Sequence, residues 1–293
     1  MTDAAGFSGN AAAVVLLSVP LSSASMQAAA AELALSETCF VGRPAAVGAP
    51  FPLRWFTPTR EVALCGHGTL AAAHALWAAG ACAADAVVFA TLAGELAVRR
   101  VSGDAAETRA TLSLPAHAPA SAPPDARIVS ALARALGLAP AAVDAVAFDA
   151  ATGKLLLVLP SAADVAGIQS DAAALLAVDQ SGCGERVSGV AATAAADGEG
   201  GHFGFVSRYF SPWNGIPFAG AEDPVNGSSH TLLLPFWAAR LNAADGAEAD
   251  AAVLSARGGA LHVAFTAGSG RARVDLTGRA RTVCAGTIAL REV

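Results

Sequence analysis

One sequence pattern occurs twice in this chain and limits how the chain can fold. The first copy reads Arg54-Trp55-Phe56-Thr57-Pro58, with Glu61 and then Cys65-Gly66-His67-Gly68. The second copy reads Arg208-Tyr209-Phe210-Ser211-Pro212, with Glu222-Asp223 and then Asn226-Gly227-Ser228. Each copy predicts a strand, a proline turn, an acidic residue and a glycine that opens an apolar helix. The two arginines stand 154 positions apart, about half the chain, which indicates two similar halves.

The glycines at the two predicted helix starts favour binding of a small anion. We predict helices over residues 66–79 and 227–241. The backbone N–H groups of a first helical turn and the helix dipole both attract negative charge. Because Gly66 and Gly227 carry no side chain, a ligand can approach both helix starts closely. Two such starts facing one cleft would hold a small carboxylate from both sides.

Composition excludes several classes of function. The 293 residues suit two domains, and a net charge of −6 without any basic stripe makes nucleic-acid binding unlikely to be the function. Lys154 is the sole lysine and lies in an apolar run, so we do not expect a pyridoxal-phosphate Schiff base. We expect no other cofactor. No pair of the five cysteines has CxxC spacing, which argues against disulfides and a metal site. Neither a signal peptide nor a membrane span is indicated, so we expect a cytoplasmic protein.

The order of predicted elements indicates a mixed α/β chain with strand-rich layers around helices. We place the N-terminal half at residues 1–118 and a linker at Pro119 to Pro124. The C-terminal half follows at 125–277, and residues 278–293 are predicted to be terminal strands that return to the N-terminal half. Two further expectations are a helix from Asp164 to about Val178 and a strand from Thr282 to Leu290.

Four polar residues beside the glycine helix starts could carry chemistry: Glu37, His67, Asp223 and Ser228. A glutamate, a histidine and an aspartate near a bound carboxylate can move a proton between substrate carbons without a cofactor. Each also has a structural interpretation. Glu37 could be a solvated carboxylate at a helix end, Asp223 could cap a turn, and Ser228 could be a helix N-cap. We leave the role of His230 undecided. The four other histidines are interpreted as structural: His74, His117, His202 and His262.

Cys65 suggests a different mechanism, in which a thiol at a helix start acts as a base. Racemisation by two bases would need a second thiol on the opposite face of the substrate. The matching position before Gly227 is Asn226, so a two-thiol mechanism is not available. Cys65 is then better interpreted as a small buried residue.

The ordered motifs resemble those of the phenazine-biosynthesis-like isomerase family. They are Gly9-Asn10-Ala11-Ala12-Ala13-Val14, Leu35-Ser36-Glu37-Thr38-x-Phe40, the first arginine pattern with Glu61 and Cys65-Gly66-His67, Glu222-Asp223-Pro224-x-x-Gly227-Ser228, Arg257-Gly258-Gly259, and Gly278 through Gly286. The resemblance implies a diaminopimelate epimerase-like fold, in which two pseudo-symmetric halves each wrap a mostly antiparallel sheet around a central helix. It also implies a homodimer and a site between the halves. Glu37 would shuttle a proton, His67 and Asp223 would surround the substrate, and Gly66, Gly227 and Ser228 would hold its carboxylate.

Three features depart from the family pattern. Ala11 replaces the usual proline, the strand expected before Gly9-Asn10 is nearly absent, and residues 212–221 form an insert of their own. We therefore predict a cofactor-independent isomerase that acts on a small cyclic or unsaturated carboxylic acid, with the substrate itself open. The alternative is a non-catalytic relative that binds a metabolite or a protein through the same cleft. An amino-acid epimerase is a weaker third option, because of Asn226.

Overall fold

The structure is a computed structural model that describes residues 8–119, 122–181, 186–197, 203–216, 219–244 and 246–290. The strand predicted before Gly9 lies outside these residues, as do His202 and Cys183. The N-terminal half contains, in chain order, β1 (Ala12–Leu16), α1 (Ser23–Leu33), β2 (Glu37–Val41), β3 (Phe51–Phe56), β4 (Glu61–Val62), α2 (Gly66–Ala78), β5 (Ala86–Thr91), β6 (Gly94–Gly103) and β7 (Glu107–Pro115).

The C-terminal half begins with a helix and then repeats the strand pattern. Its elements are α3 (Ala126–Ala135), β8 (Ala145–Asp149), β9 (Lys154–Val158), α4 (Ala162–Ala166), α5 (Ala172–Leu176), β10 (Gly189–Asp197), β11 (Phe203–Phe210), β12 (Glu222–Asp223), α6 (His230–Arg240), β13 (Glu248–Val253), β14 (Gly259–Phe265) and β15 (Arg273–Arg281). Short 3₁₀ turns lie at Pro140–Ala142, Pro212–Asn214 and Ala219–Ala221.

The strands of the two halves pair in the same order and with the same directions. In the N-terminal half the order is β1-β2-β3-β5-β6-β7, and in the C-terminal half it is β9-β10-β11-β13-β14-β15. Along each series the successive pairs are parallel, antiparallel, parallel, antiparallel and antiparallel. Antiparallel pairing of β7 with β15 joins the halves, and β8 adds an extra strand beside β9. The predicted fold class, two pseudo-symmetric halves, is confirmed.

The strand registers identify which residues occupy equivalent positions in the two halves. Phe56 pairs with Thr38, and its counterpart Phe210 pairs with Val190. One residue earlier on each inner strand, Glu37 corresponds to Gly189. On the neighbouring parallel strands, Glu37 lies beside Ala12 and Gly189 lies beside Lys154. The duplication therefore places a carboxylate in one half and no side chain at the same position of the other.

Gly189 is required by the packing of Tyr209. A Cβ atom at residue 189 would overlap the hydroxyl of Tyr209 and approach its ring, and Tyr209 is itself buried. We expect Gly189→Ala to lower the free energy of unfolding by about 1–3 kcal/mol, the usual cost of overpacking a core. Urea denaturation would measure this loss. The control is Gly286→Ala, where a Cβ meets no atom within 4 Å and no loss is expected. Equal stability of the two variants would contradict the overpacking argument.

The two central helices lie inside a shared apolar core. Small residues such as Ala72 and Ala73 let α2 pack directly against β1 and β2, whereas α6 packs against β14 and β15 through Leu232 to Leu234. On the outer faces, α1 covers β2 and β3, and α3 to α5 cover the sheet of the C-terminal half. This layering explains why the helix starts point to the boundary between the halves. In the described part of the chain, no helix has the length and apolar character needed to cross a bilayer.

The helix predicted from Asp164 to Val178 is wrong as a single element. The chain forms two short helices instead, and the break between them has a partner in β11. The Arg208 guanidinium donates to the carbonyl oxygens of Ala166 and Ile168, at 3.1 Å and 2.8 Å, where α4 ends. The Asp171 side chain then accepts from the N–H of Ala174 and caps α5.

The strand predicted from Thr282 to Leu290 is also wrong. The terminal strand β15 ends at Arg281, and residues 282–290 have no regular secondary structure. Leu290 packs against the outer core of the N-terminal half, which includes Phe40 and Phe56. The predicted division at residue 278 falls within β15, and the division at residues 118–125 falls between β7 and α3. The domain boundaries themselves stay predictions.

Candidate active site

Three elements bring Glu37, His67 and Asp223 into one cluster. Glu37 is the first residue of β2, His67 is the second residue of α2, and Asp223 ends β12. Glu37 Oε2 lies 3.3 Å from His67 Nε2. The Asn10 side chain bridges the other two residues, since its Nδ2 donates to Asp223 Oδ1 at 2.5 Å and lies 3.3 Å from His67 Nδ1. The three predicted catalytic side chains therefore meet across a sequence separation of up to 186 residues.

The imidazole of His67 has polar partners at both ring nitrogens. Ser36 Oγ lies 3.2 Å from Nε2, on the same side as Glu37. Because the Asn10 Nδ2 group can only donate, Nδ1 must act as the acceptor and Nε2 then carries the proton. Burial lowers the pKa of His67, and the charge of Asp223 opposes only part of that effect. The ring is therefore neutral near pH 7, with Nε2–H directed toward Ser36 Oγ and with Glu37 Oε2 at 3.3 Å from the same nitrogen.

Glu37 is a buried carboxyl group with unused hydrogen-bonding capacity. Only 7% of the residue is exposed, and burial raises its pKa to about 7, with the Ser36 and Cys65 side chains offsetting part of the rise. Its Oε2 accepts no hydrogen bond in the described structure, although His67 Nε2 lies near it. An acid whose pKa is near neutrality can both release and accept a proton at the same pH.

Asp223 is held from both sides by amide groups. Asn226 Nδ2 donates to Oδ2 at 2.6 Å, and Asn10 donates to the other oxygen. Burial and the nearby Glu37 raise the pKa of Asp223 to about 6, against the influence of His67 and the two amides. Asn10 and Asn226 therefore fix the orientation of the Asp223 side chain. Its carboxyl group interacts electrostatically with that of Glu37.

The two helix starts meet at their glycines. A Cβ on Gly66 would lie 3.6 Å from Gly227 Cα, and a Cβ on Gly227 would lie 3.6 Å from Gly66 Cα. The residues before these glycines have equivalent capping roles. Cys65 Sγ accepts from the N–H three residues later, and Asn226 Oδ1 accepts from Ser229 N in the same way. Such caps leave the N–H groups of the first turn directed at the space between the halves.

The start of α6 differs in detail from the prediction. The helix is assigned from His230 to Arg240, after a turn over residues 227–229, and Asn226 rather than Ser228 provides the side-chain cap. Ser228 is half-buried, and its hydroxyl donates to Asn226 Oδ1 at 3.1 Å. The physical reason is that the asparagine amide oxygen reaches the N–H groups of the turn, so Ser228 remains beside the glycine contact.

His230 supports the turn rather than lining the cluster. Its Nδ1 lies 2.7 Å from the carbonyl oxygen of Asn226, so Nδ1 carries the ring proton and donates to it. Burial lowers the pKa of His230 to about 4, and the ring is neutral. In the N-terminal half, Thr69 Oγ1 donates to the Cys65 carbonyl in the corresponding way. The undecided His230 is therefore part of the helix start.

Cys65 is a protonated thiol in this environment. Burial raises the pKa of Cys65 well above its usual value, and the neighbouring Glu37 and Cys39 raise it further. A helix start alone would lower the pKa of a thiol, but burial outweighs that effect here. The thiol therefore acts as a capping and packing group, as the second interpretation of the sequence predicted.

Potential metal ligands occur in the cluster, since atoms of Glu37, Cys65 and His67 lie within 4.8 Å of one another. Glu37 approaches Nε2 of the imidazole, whereas Cys65 lies 3.5 Å from Nδ1. One ion can bind only one nitrogen of a given ring, and these nitrogens point in different directions. The present ring orientation therefore does not direct the three groups to one ion, and it suits proton transfer better.

The described residues 212–216 of the insert lie against the turn after β3. Arg60 Nη1 donates to the carbonyl of Trp213 at 3.4 Å, and a Cβ on Gly215 would overlap the hydroxyl of Thr59. Trp213 also packs against the outer core of the C-terminal half. Among the described residues, the contacts of residues 212–216 do not involve Glu37, His67 or Asp223. The described part of the insert thus joins the two proline turns across the halves without entering the cluster.

Three residues of the cluster were not assigned a role from the sequence: Asn10, Ser36 and Asn226. Asn10 and Ser36 occur in motifs that carry the family resemblance, which was the available signal. Asn226 was noted only because it is not a thiol. Asparagine is a preferred residue at helix starts, and its place directly before Gly227 would have indicated the cap.

Comparisons with known proteins identify the family of this chain and its fold. The family model for phenazine biosynthesis-like proteins (PhzC-PhzF) matches residues 2–286. An uncharacterized isomerase of Pseudomonas aeruginosa is 38% identical and covers 97% of this chain and 94% of its own length. A human phenazine biosynthesis-like domain-containing protein is 36% identical, with coverage of 97% and 95%.

A crystal structure from Enterococcus faecalis, described as a phenazine biosynthesis protein of the PhzF family, has the same fold. It is 33% identical, covers 95% of this chain and 94% of its own, and superposes with a TM-score of 0.73. The match extends over both halves of the chain. This chain belongs to the phenazine biosynthesis-like (PhzF) family.

Proposed function

We propose that this protein is a cofactor-independent isomerase that moves a proton on a small cyclic or unsaturated carboxylic acid. Glu37 would be the acid and base that transfers the proton. The observation that carries the proposal is the state of Glu37, which is a buried carboxyl group with a pKa of about 7 and an oxygen that accepts no hydrogen bond. General acid–base groups are most effective when their pKa lies near the working pH.

His67 and Asp223 would orient the substrate and tune Glu37. The neutral imidazole can donate from Nε2 to a polar atom of the substrate or to Glu37 itself. Asp223 contributes a second carboxyl group whose charge favours the protonated form of Glu37. Asn10 connects both residues, so it would act as a positioning residue for the pair.

The carboxylate of the substrate would bind at the two helix starts. Because Gly66 and Gly227 bring the two helix starts into contact, backbone N–H groups of both helices are close enough to bind one anion. The Ser228 hydroxyl is half-buried beside this contact and can add a third donor. Donors fixed in this way also stabilise the extra negative charge that develops when a carbon next to the carboxylate loses its proton.

A one-base mechanism follows from the asymmetry of the two halves. In the first step Glu37 would take a proton from an activated carbon, and the electron pair of that C–H bond would move into the conjugated system. In the second step the same carboxylic acid would return the proton to another carbon of the substrate. The position equivalent to Glu37 is Gly189, and the thiol of Cys65 keeps its proton, so neither supplies a second base.

The alternative proposal is a relative that binds a metabolite or a protein without catalysis. A cleft filled by the insert would have supported it, but the described residues 212–216 contact the turn at Thr59 and Arg60 instead. The convergence of Glu37, His67 and Asp223 supports the enzyme. A binding site for a carboxylate alone would gain nothing from a second buried acid beside the anion, because like charges repel.

A proton–deuterium exchange screen would test the proposed function. The wild-type protein is incubated in D₂O with a panel of small cyclic and unsaturated carboxylic acids, and NMR detects deuterium at ring or α carbons. We expect uptake with at least one acid and none with Glu37→Gln. Binding of several acids by thermal shift, without any exchange by the wild type, would overturn the isomerase and support the binding protein.

A further inference from the structure

Lys154, the sole lysine of the chain, lies outside the Glu37 cluster and has an unusual environment. Only 9% of the residue is exposed. Its ammonium group makes no hydrogen bond and no salt bridge to any residue that the structure describes. Buried charged groups are normally paired, because removing a charge from water without a partner is costly. The amine of Lys154 is therefore not occupied by a direct hydrogen bond or salt bridge, which leaves it available for chemistry.

The side chain of Lys154 points to the central layer of the fold. On β9 the alternate residues Leu156 and Val158 belong to the central core, whereas Leu155 and Leu157 belong to the outer core. Because side chains alternate along a strand, Lys154 lies on the same face as Leu156. Its Nζ atom has no hydrogen-bond partner among the described residues but is not completely buried, so the amine retains some contact with solvent.

Two titratable side chains accompany the amine, and we call Lys154, Asp149 and His117 the Lys154 cluster. Asp149 is the cross-strand neighbour of Lys154 in the β8–β9 pair. Its Oδ2 accepts from the hydroxyl and N–H of Thr152 and lies 3.6 Å from His117 Nδ1. The side chain of His117 is 30% exposed, which connects the cluster to solvent.

The backbone fixes His117 over this site. Its N–H donates to the carbonyl oxygen of Thr231 in the first turn of α6, at 2.9 Å. The imidazole therefore lies between α6 and the β8–β9 hairpin. Burial lowers the pKa of His117 and also lowers the pKa of Lys154 to about 8, which increases the fraction of free base for each. Within the described part of the chain, the hydrogen bonds and salt bridges of these side chains do not involve Glu37, His67 or Asp223.

We propose that the Lys154 cluster is a second site, separate from the isomerase site, at which the amine of Lys154 forms an imine with a small neutral aldehyde. Asp149 balances the charge of the ammonium group, so the site has no excess positive charge to attract a phosphate or carboxylate. An amine beside an acid–base pair is instead suited to attack on a carbonyl carbon.

The chemistry balances without an oxidant or reductant. The Nζ lone pair attacks the carbonyl carbon, the C=O π pair moves to oxygen, and a proton moves from nitrogen to that oxygen to give a carbinolamine. The nitrogen lone pair then forms the C=N bond as the C–O bond breaks, and the oxygen leaves as water after it receives a second proton. His117 would donate and accept these protons, while Asp149 holds the imidazole in position.

Reductive trapping would test this site on the full chain. The probe is propanal with sodium cyanoborohydride, which reduces an imine to a stable secondary amine, and peptide mass spectrometry locates the label. The chain has one lysine, so only the α-amino group of the first residue competes. We expect Lys154 to be labelled at least about tenfold faster than that α-amine, given the usual size of acid–base assistance, and the rate to saturate with propanal.

Two variants, and a comparison of the folded chain with the chain unfolded in urea, complete the test. Lys154→Arg should remove the internal label and leave labelling of the α-amine unchanged. His117→Ala should slow labelling at Lys154 by about 10²-fold or more, and free imidazole should restore it, which a merely structural role would not allow. Labelling of Lys154 only after unfolding in urea, or labelling of the α-amine alone in the folded chain, would overturn the proposal. Neither result depends on the isomerase activity.

Discussion

Glu37→Gln is expected to lower the rate of proton exchange by about 10²–10⁴-fold, the usual contribution of a general acid–base group. The same substitution is expected to raise the free energy of unfolding at pH 8 by about 3 kcal/mol. The second effect follows from the pKa of Glu37, which rises from 4.5 to about 7 on folding. Glutamine keeps the shape of the side chain and an acceptor for His67 Nε2, but it cannot ionise.

The sign of the pH dependence follows from the direction of this shift. Below pH 4.5 the carboxyl group is protonated in both states, and its contribution to stability is fully present. Between pH 4.5 and about 7 the unfolded chain releases the proton while the folded protein keeps it, so the free energy of unfolding falls as pH rises. Above about pH 7 the loss is complete. The pKa of Asp223 is raised to about 6 by burial and by Glu37, so loss of the Glu37 charge lowers that pKa and adds to the gain in stability at pH 8.

Urea denaturation of wild type and Glu37→Gln at pH 5 and pH 8 would measure the difference. The two proteins should be close in stability at pH 5 and diverge at pH 8. Glu61→Gln is the matched control, because its carboxylate is partly exposed and paired with Arg54. It should lose no more than about 1 kcal/mol, as expected for a surface ion pair. An unchanged or lower stability of Glu37→Gln at pH 8 would contradict the buried-acid interpretation.

The expected gain means that the candidate site lowers the stability of the fold. A carboxyl group kept away from water is unfavourable unless it does something that a neutral side chain cannot do. The equivalent position in the C-terminal half holds Gly189, so the fold itself does not require an acid there. Proton transfer is the role that explains why Glu37 occupies this position.

The features that could be predicted from the sequence are those that depend on residues close together in the chain. The repeated arginine pattern indicated two similar halves, and each copy forms a strand, a turn and a following helix, although α6 begins three residues later than predicted. Glu37 and His67 were selected because they stand beside glycine or strand boundaries. In each case the signal lies within a few residues of the feature that it predicts, which is the range over which propensity and capping act.

Contacts between distant residues account for most of what the sequence did not reveal. Asn10 holds Asp223 across 213 positions, and no local pattern encodes that contact. The break between α4 and α5 depends on Arg208, which lies 40 positions after Ile168. The absence of an acid opposite Glu37 became evident only from the strand registers, because the residues around Gly189 share no obvious pattern with those around Glu37.

The two arginine–glutamate ion pairs of the repeat have nearly the same contact distances but differ in burial. They can therefore be used to measure how burial affects the contribution of an ion pair to stability. Nε and Nη2 of Arg54 each donate to Glu61 at 2.7 Å. The same two atoms of Arg208 donate to Glu222 at 2.6 Å and 2.8 Å. Each guanidinium also lies over a phenylalanine ring, at 5.1 Å and 5.3 Å. The side chains of the first pair are 33% and 25% exposed, whereas both side chains of the second are 10% exposed.

Arg208→Met is therefore expected to lower the free energy of unfolding by about 3–5 kcal/mol, the usual cost of leaving one charge of a buried pair without its partner. The substitution also removes the donors to the carbonyl groups at the end of α4. Arg54→Met, the matched control, should cost no more than about 1 kcal/mol, since water can solvate Glu61. Urea denaturation at pH 7 would compare the two variants.

A double variant separates the buried charge from the lost contacts. Arg208→Met with Glu222→Gln removes the uncompensated carboxylate, so it should be more stable than Arg208→Met alone. Equal losses in Arg208→Met and Arg54→Met would contradict the assignment to burial. Glu222 also precedes Asp223 on β12, and β12 pairs with the strand that carries Arg208. The buried pair thus fixes the strand that presents Asp223, and Arg208→Met should also reduce proton exchange, whereas Arg54→Met should not.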